Sequence, residues 1–186
     1  MPTRLSPQPT SRSKVGLDAM GKSGFTCAVL TISDKGSRGE RVDTSGPQLQ
    51  RQLAAAGFQV VDYSIVPDQP RLIRETLIKW VDEDGIDLII TSGGTGVSPT
   101  DRTPEATKGL LDLEIPGIGE AMRMASLTKT PNAILSRGIA GIRKESLIIN
   151  LPGSEKGARE NLEVVLDALN HAIYKIKGGT KDCAAC

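Results

Sequence analysis

Three short segments of the chain combine residue types suited to holding phosphate groups: Ser33-Asp34 with the polar run behind it, Ser92-Gly93-Gly94-Thr95-Gly96, and Asn150-Leu151-Pro152-Gly153-Ser154. The middle segment carries three glycines in four positions, flanked by the hydroxyls of Ser92 and Thr95. Without a Cβ, glycine lets backbone N–H groups converge on an anion and adopt φ values closed to other residues. This is not a Walker A loop, because no Lys-Ser or Lys-Thr follows at the required spacing, and it is not G-x-G-x-x-G. By loop chemistry alone, a tight turn and a phosphate cradle are nearly equal readings. The Asn150–Ser154 segment leads into a helical pattern, where free amides and the Ser154 hydroxyl can hold a second anion. Ser154 followed by Glu155 is also a plain helix start that needs no ligand.

Two carboxylates accompany these loops. Asp101 sits in Pro99-Thr100-Asp101-Arg102-Thr103-Pro104, just after the glycine segment, and Asp68 follows Val66-Pro67. Magnesium takes one or two carboxylates, with phosphate oxygens and water completing its shell, so a carboxylate beside a phosphate loop suits that ion. Taken alone, each is better explained as a turn or cap residue. Two anion-friendly loops with a carboxylate between them suggest a substrate carrying more than one phosphate group.

The apolar pattern must supply elements that bring these segments together. Apolar runs alternate with helical periodicity, which predicts an α/β domain with a largely parallel sheet. Strands are expected at 25–32, 58–66, 87–91, 133–142 and 146–151. Helices are expected from Thr44 or Ser45 to about Ala56, over 70–84, from Thr103 as N-cap with Pro104 at the first helical position, over 118–127 and over 155–177. Ile73, Leu77, Trp80 and Val81 share one face of the second helix, and Leu162, Val165, Leu166, Leu169, Ile173 and Ile176 form the stripe of the last. The run at 87–91 is hydrophobic throughout and suits a central strand covered on both sides. Each of the three phosphate-friendly segments follows a strand at its C-terminal end, the edge where ligands bind in open α/β sheets.

Length and charge narrow the function classes. The 186 residues suit one domain, with no internal repeat. The 23 Lys and Arg nearly balance the 22 Asp and Glu, for a net charge of +1, so no global field attracts nucleic acid or an acidic membrane. At 3% aromatic residues there is no base-stacking platform. No apolar run approaches the roughly 20 residues that span a bilayer. Residues 1–24 form a Ser-, Pro- and Thr-rich basic arm without the apolar stretch of a secretory signal. Residues 25–177 hold the domain, and 178–186 form a tail. Cys27 is expected to be a small buried hydrophobe. Cys183 and Cys186 form a terminal C-x-x-C, open to redox, metal or prenylation readings, though a tail without a role is favoured over each.

The blocks TSGGTGVSPTDRTPEAT, IPGIGEAMRMASL and AILSRGIAGIRKESLIINLPGSEKGARENL resemble, in order and spacing, the molybdopterin adenylyltransferase family of molybdenum-cofactor biosynthesis. That family includes MogA- and MoaB-type proteins and the N-terminal domain of gephyrin, and the likeness runs from about Phe25 to Lys177. It implies a three-layer α/β/α domain of the molybdopterin-binding type that transfers AMP from ATP to the phosphate of molybdopterin and releases pyrophosphate. The chain keeps the Thr103-Pro104-Glu105-Ala106 and Asn150-Leu151-Pro152-Gly153 blocks of the active branch. The resemblance assigns Asp68 and Asp101 as catalytic, magnesium-holding aspartates. It places substrate contacts at Ser33, Asp34, Ser92, Gly93, Gly94, Thr95, Gly96, Thr103, Asn150, Pro152, Gly153 and Ser154. It also implies a homotrimer that passes its product to a molybdate-insertase protein, and the pathway together with the lack of a targeting signal leads to the expectation of a cytoplasmic location. Arg102 stands where close relatives carry Val, and it is expected to face solvent. The alternative is a non-catalytic molybdopterin carrier or scaffold; the retained carboxylates weigh against it.

Overall fold

The computed structural model describes residues 24–180; the expectations for the N-terminal arm up to residue 23 and for Cys183 and Cys186 lie outside the described residues. Chain order is β1 (Thr26–Ile32), α1 (Asp34–Ser37), α2 (Ser45–Ala55), β2 (Gln59–Val66), α3 (Pro70–Ile78), β3 (Leu88–Ser92), α4 (Thr103–Lys108), β4 (Leu113–Glu114), α5 (Pro116–Leu127), β5 (Ala140–Arg143), β6 (Ser146–Leu151) and α6 (Glu155–Ile176). The six strands form one sheet in the order β2-β1-β3-β6-β5-β4. β2, β1, β3 and β6 run parallel, and β5 and β4 complete the sheet as antiparallel strands.

Successive strand residues point to opposite faces, and the two faces carry separate cores. Cys27, Val29, Leu88, Ile90, Leu147 and Ile149 pack with Leu49 and Leu53 of α2, Met122 of α5 and Leu162, Val165 and Leu169 of α6. Ala28, Leu30, Ile89 and Ile148 pack on the other side with Ile73, Leu77, Trp80 and Ala106, from α3 to α4. The result is three layers, with β3 central and buried along its whole length. Burying one such Leu or Ile side chain stabilises by roughly 1.5–3 kcal/mol, so these runs specify both strand position and face.

Several local expectations are corrected. The segment 133–142 is not one strand: Pro131–Leu135 is a 3-10 turn, and β5 is confined to Ala140–Arg143. Pro131 favours the turn, Thr130 caps it, and Ile134 is left exposed. The short strand β4 was not expected; it pairs with β5 at Leu113 and Glu114. α3 continues beyond Ile78 as a π-helical turn, Lys79–Glu83, whose Trp80 and Val81 remain in the core. α5 begins at Pro116 itself, at the position where a missing N–H costs nothing.

Two caps also differ. Thr103 is inside α4 and makes no side-chain cap; Arg102 precedes the helix. Thr44 makes no side-chain cap for α2. The capping oxygen comes from Asp43, which accepts from the amides of Ser45 at 2.9 Å and Gly46 at 3.2 Å. Within the stretch expected to be loop, α1 is a single helical turn capped by Ser33, whose Oγ accepts from the Gly36 amide at 3.0 Å.

Candidate active site

The first strand is followed by connections that lead to opposite sides of itself, β2 on one side and β3 on the other. That reversal of strand order opens a crevice at the C-terminal ends of β1 and β3, the usual ligand position in such sheets. The Ser33 and glycine segments lie there, and parallel pairing with β6 adds the third segment.

The glycine turn fits its surroundings without spare room. Gly93 has φ +113° and Gly94 has φ +62°. A methyl added at Gly93 would lie 2.2 Å from the Ile32 carbonyl oxygen, and one at Gly94 would lie 2.3 Å from Thr103 Oγ1 and 3.3 Å from Asp68 Oδ1. The Gly93 amide donates to the Leu151 carbonyl at 3.2 Å. Ser92 Oγ donates to the Pro152 carbonyl at 2.9 Å, and Ser45 Oγ to that of Gly153 at 3.1 Å. The glycine turn and the Pro152–Ser154 loop are therefore tied side by side.

A cavity of about 310 Å³ opens between them, lined by Ser33, Asp68, Ser92, Gly93, Gly94 and Gly153 among others. A second, of about 430 Å³, lies across the Gly153-Ser154 strip and is lined by Thr95, Gly96, Pro152, Arg123, Lys129 and Lys156 among others. Gly153 and Ser154 line both. Ser154 caps α6 by accepting from the Gly157 amide at 3.2 Å, and Ser33 caps α1. Each hydroxyl still has its proton to donate.

Asp34 and Asp68 meet at this edge, and Asp101 lines neither cavity. The Asp34 amide donates to Asp68 Oδ2 at 2.9 Å, and the Asp68 amide donates to Asp34 Oδ1 at 3.0 Å. Burial raises the pKa of Asp68; the Asp34 amide opposes this, while the charges of Asp34 and Asp101 add to it. Asp101 follows through a short loop, its Oδ2 accepting from the Ser98 amide at 2.8 Å. Thr103 Oγ1 is buried with no hydrogen-bond partner.

These residues fit a magnesium ion by the chemistry of the donors. Crowded carboxylates and an unpartnered hydroxyl favour a nearby cation. Among the described residues no group of three or more His, Cys, Asp or Glu is arranged to enclose a metal. A site of one or two carboxylates that leaves most positions to substrate oxygens and water is the magnesium pattern.

Asn150 is placed differently from its expected role in substrate contact. It is fully buried and lines neither cavity. Its Nδ2 donates to Thr91 Oγ1 at 2.9 Å and Thr107 Oγ1 at 3.0 Å, joining β6, β3 and α4. Thr103 is likewise fully buried and lines neither cavity; it lies beneath the Gly94 turn. Arg102 is exposed, with Nε donating to the Pro99 carbonyl at 3.3 Å, in line with the solvated role.

Sequence reasoning missed Asp43 and Arg137. Thr31 Oγ1 and Tyr63 OH each donate to Asp43 Oδ2 at 2.6 Å, so Asp43 fixes the start of α2 to β1 and β2. Its position immediately before Thr44-Ser45 was the available signal. Arg137 holds the loop between the glycine turn and Asp101. A charged residue inside a supposed apolar strand was its signal.

An open α/β sheet with a glycine turn and carboxylates at its switch point is the arrangement of a class of proteins suited to phosphate-bearing ligands. Residues 28–171 match the family described as "Probable molybdopterin binding domain", and the chain belongs to that family. It is 47% identical over 152 residues to the molybdopterin adenylyltransferase of Helicobacter pylori J99, covering 81% of this chain and 86% of the relative. Identity to the Escherichia coli K12 protein of the same name is 42% over 148 residues, covering 78% and 75%. The solved structure of the molybdopterin biosynthesis enzyme MoaB from Thermus thermophilus is 55% identical with a TM-score of 0.79, covering 83% of this chain and 97% of that one.

Proposed function

We propose that the chain is a molybdopterin adenylyltransferase that uses ATP and magnesium. The observation that carries this reading is the convergence of the glycine turn, the Pro152–Ser154 loop and Asp68 on one cavity, with Asp101 beside it, in a chain 42–47% identical to enzymes of that name. A phosphate oxygen of molybdopterin attacks the α-phosphorus of ATP. The new P–O bond forms as the α–β bridging bond breaks, and pyrophosphate leaves with the electron pair. The nucleophile is already an anion at neutral pH, so no strong base is needed, and catalysis rests on positioning and charge neutralisation.

The backbone amides of Gly94–Gly96 hold nucleotide phosphates, the Gly93 amide being engaged with the Leu151 carbonyl, and the Ser154 hydroxyl donates to the second substrate. Ser33 lines the same cavity, and Asp34 is tied to Asp68 at its edge. Asp101 and Asp68 would hold magnesium, which would supply neutralisation of charge on the ATP phosphates. The working unit is a cytoplasmic homotrimer, and its product passes to a molybdate-inserting protein.

Purified protein incubated with ATP, magnesium and fresh molybdopterin should yield adenylylated molybdopterin and pyrophosphate, with all three components required. Asp101→Asn should lose roughly 100-fold or more in turnover with an unchanged melting temperature. Tight molybdopterin binding without product would make the chain a carrier. Normal turnover by Asp101→Asn would refute the metal assignment.

A further inference from the structure

We propose that Arg137 is a positioning residue that presents Asp101 to the reaction by clamping both ends of the Gly96–Asp101 loop. Nε donates to the Gly96 carbonyl at 2.7 Å, and Nη2 donates to the Asp101 carbonyl at 2.7 Å. The Arg137 amide donates to the Thr95 carbonyl at 2.9 Å, and Nη1 pairs with the Glu105 carboxylate in the first turn of α4. One residue thus holds the glycine turn, the catalytic-aspartate loop and the following helix in register.

The loop it spans has little else to hold its shape. Val97, Ser98, Pro99 and Thr100 are exposed. Within the loop, the Asp101 amide donates to the Ser98 carbonyl at 3.0 Å, and the Asp101 carboxylate accepts from the Ser98 amide at 2.8 Å. The carboxylate is thereby folded back over Gly96, where a methyl would lie 2.9 Å from Asp101 Oδ2. The Thr103 amide ties the far end to the Gly94 carbonyl at 3.1 Å.

A half-exposed ion pair with Glu105 is worth little as stability. The two carbonyl contacts are the informative ones, because a planar fork fixes the separation of two acceptors. A lysine, with one ammonium on a flexible stem, cannot span them in the same way. Exposed loops that carry reacting groups gain from such rigid support.

This inference rests on the reading of Asp101 as a carboxylate of the adenylyl-transfer site, so its test includes a measurement independent of activity. Amide hydrogen exchange of the full chain should show Ser98 exchanging roughly 10-fold faster in Arg137→Ala, while the amides of Ile89 and Ile90 are unchanged. In the transfer assay Arg137→Ala should lower kcat by roughly 10–100-fold with KM for ATP altered much less. Arg137→Lys should share most of the loss, and added guanidinium should restore part of the activity of Arg137→Ala. In an Asp101→Asn background, Arg137→Ala should cost less than about 2-fold more, because the two act as one unit.

Unchanged Ser98 exchange would overturn the proposal. So would a full additional loss in the Asp101→Asn background, which would mean that Arg137 acts on the substrate itself. Normal turnover by Asp101→Asn together with faster Ser98 exchange in Arg137→Ala would sink the role of Asp101 while leaving the clamp standing.

Discussion

Asp43 shows how a half-buried carboxylate becomes useful structure. Burial works against its charge, yet hydrogen bonds from Thr31 and Tyr63 and from the amides of Gly46 and Ser45 prevail, and its pKa falls below the ordinary value. Tyr63 is pushed the other way, by burial and by its bond to Asp43, so its hydroxyl stays a donor. A depressed carboxylate contributes stability that is complete above its unfolded pKa of about 3.9 and is lost as pH falls through the folded value. Asp43→Asn should therefore cost about 1–3 kcal/mol at neutral pH. The gap in urea midpoint between the variant and the parent should narrow below about pH 4. An unchanged gap at acid pH would mean that the charge is irrelevant. Cys27 is the opposite case: burial, then the charge of Asp87, push its thiol up to about 12. It should resist thiol reagents in the folded protein and react only on unfolding, as peptide mapping of the labelled cysteine would show. The burial of Cys27 was legible from its apolar neighbours. The cap by Asp43 was hidden in the sequence, because Thr44 and Ser45 offered the same chemistry one and two residues on.

Among the elements, strands and amphipathic helices were the easiest to anticipate, because each repeats its apolar signal several times. Ile73, Leu77, Trp80 and Val81 stayed on one buried face even where the helix widened into a π turn. The stretch 133–142 failed for the reverse reason: its apolar residues are divided between a 3-10 turn and a short strand near the sheet edge, so they follow no single period. The glycine turn is more demanding than its composition alone reveals. Gly93→Ala should cost about 1–3 kcal/mol in backbone strain alone, with a further loss from the Ile32 carbonyl, read as a lowered denaturant midpoint. Wild-type stability in that variant would mean the turn is slack. Asn150→Ala should cost about 1–3 kcal/mol by unmaking the bonds to Thr91 and Thr107. If it impaired activity without touching stability, Asn150 would return to the set of substrate contacts.

For the molecule as a whole, assembly is the property with fewest local signs. Met122 is buried within its own protomer, whereas Met124 is 70% exposed on α5, and Ile134 and Leu135 are exposed on the neighbouring 3-10 turn. If the proposed homotrimer forms through this face, Met124→Lys should lower the mass seen by sedimentation from three protomers to one; a trimer unchanged by the substitution would assign the contact elsewhere. Among the described residues no helix is long and apolar enough to cross a membrane. Local sequence was enough to locate the α/β alternation, the central strand and the three polar segments, because periodicity, glycine spacing and Pro–Asp punctuation are properties of neighbours in the chain. Family likeness added the chemistry expected of Asp68 and Asp101. The tertiary structure alone decided that Asp34 and Asp68 exchange hydrogen bonds, that Asn150 lies beneath the site, that one loop borders both cavities, and that Arg137 clamps Asp101. Those relations join residues 34 to 60 positions apart in sequence, and only the order in which strands pair brings such residues within a hydrogen bond of each other.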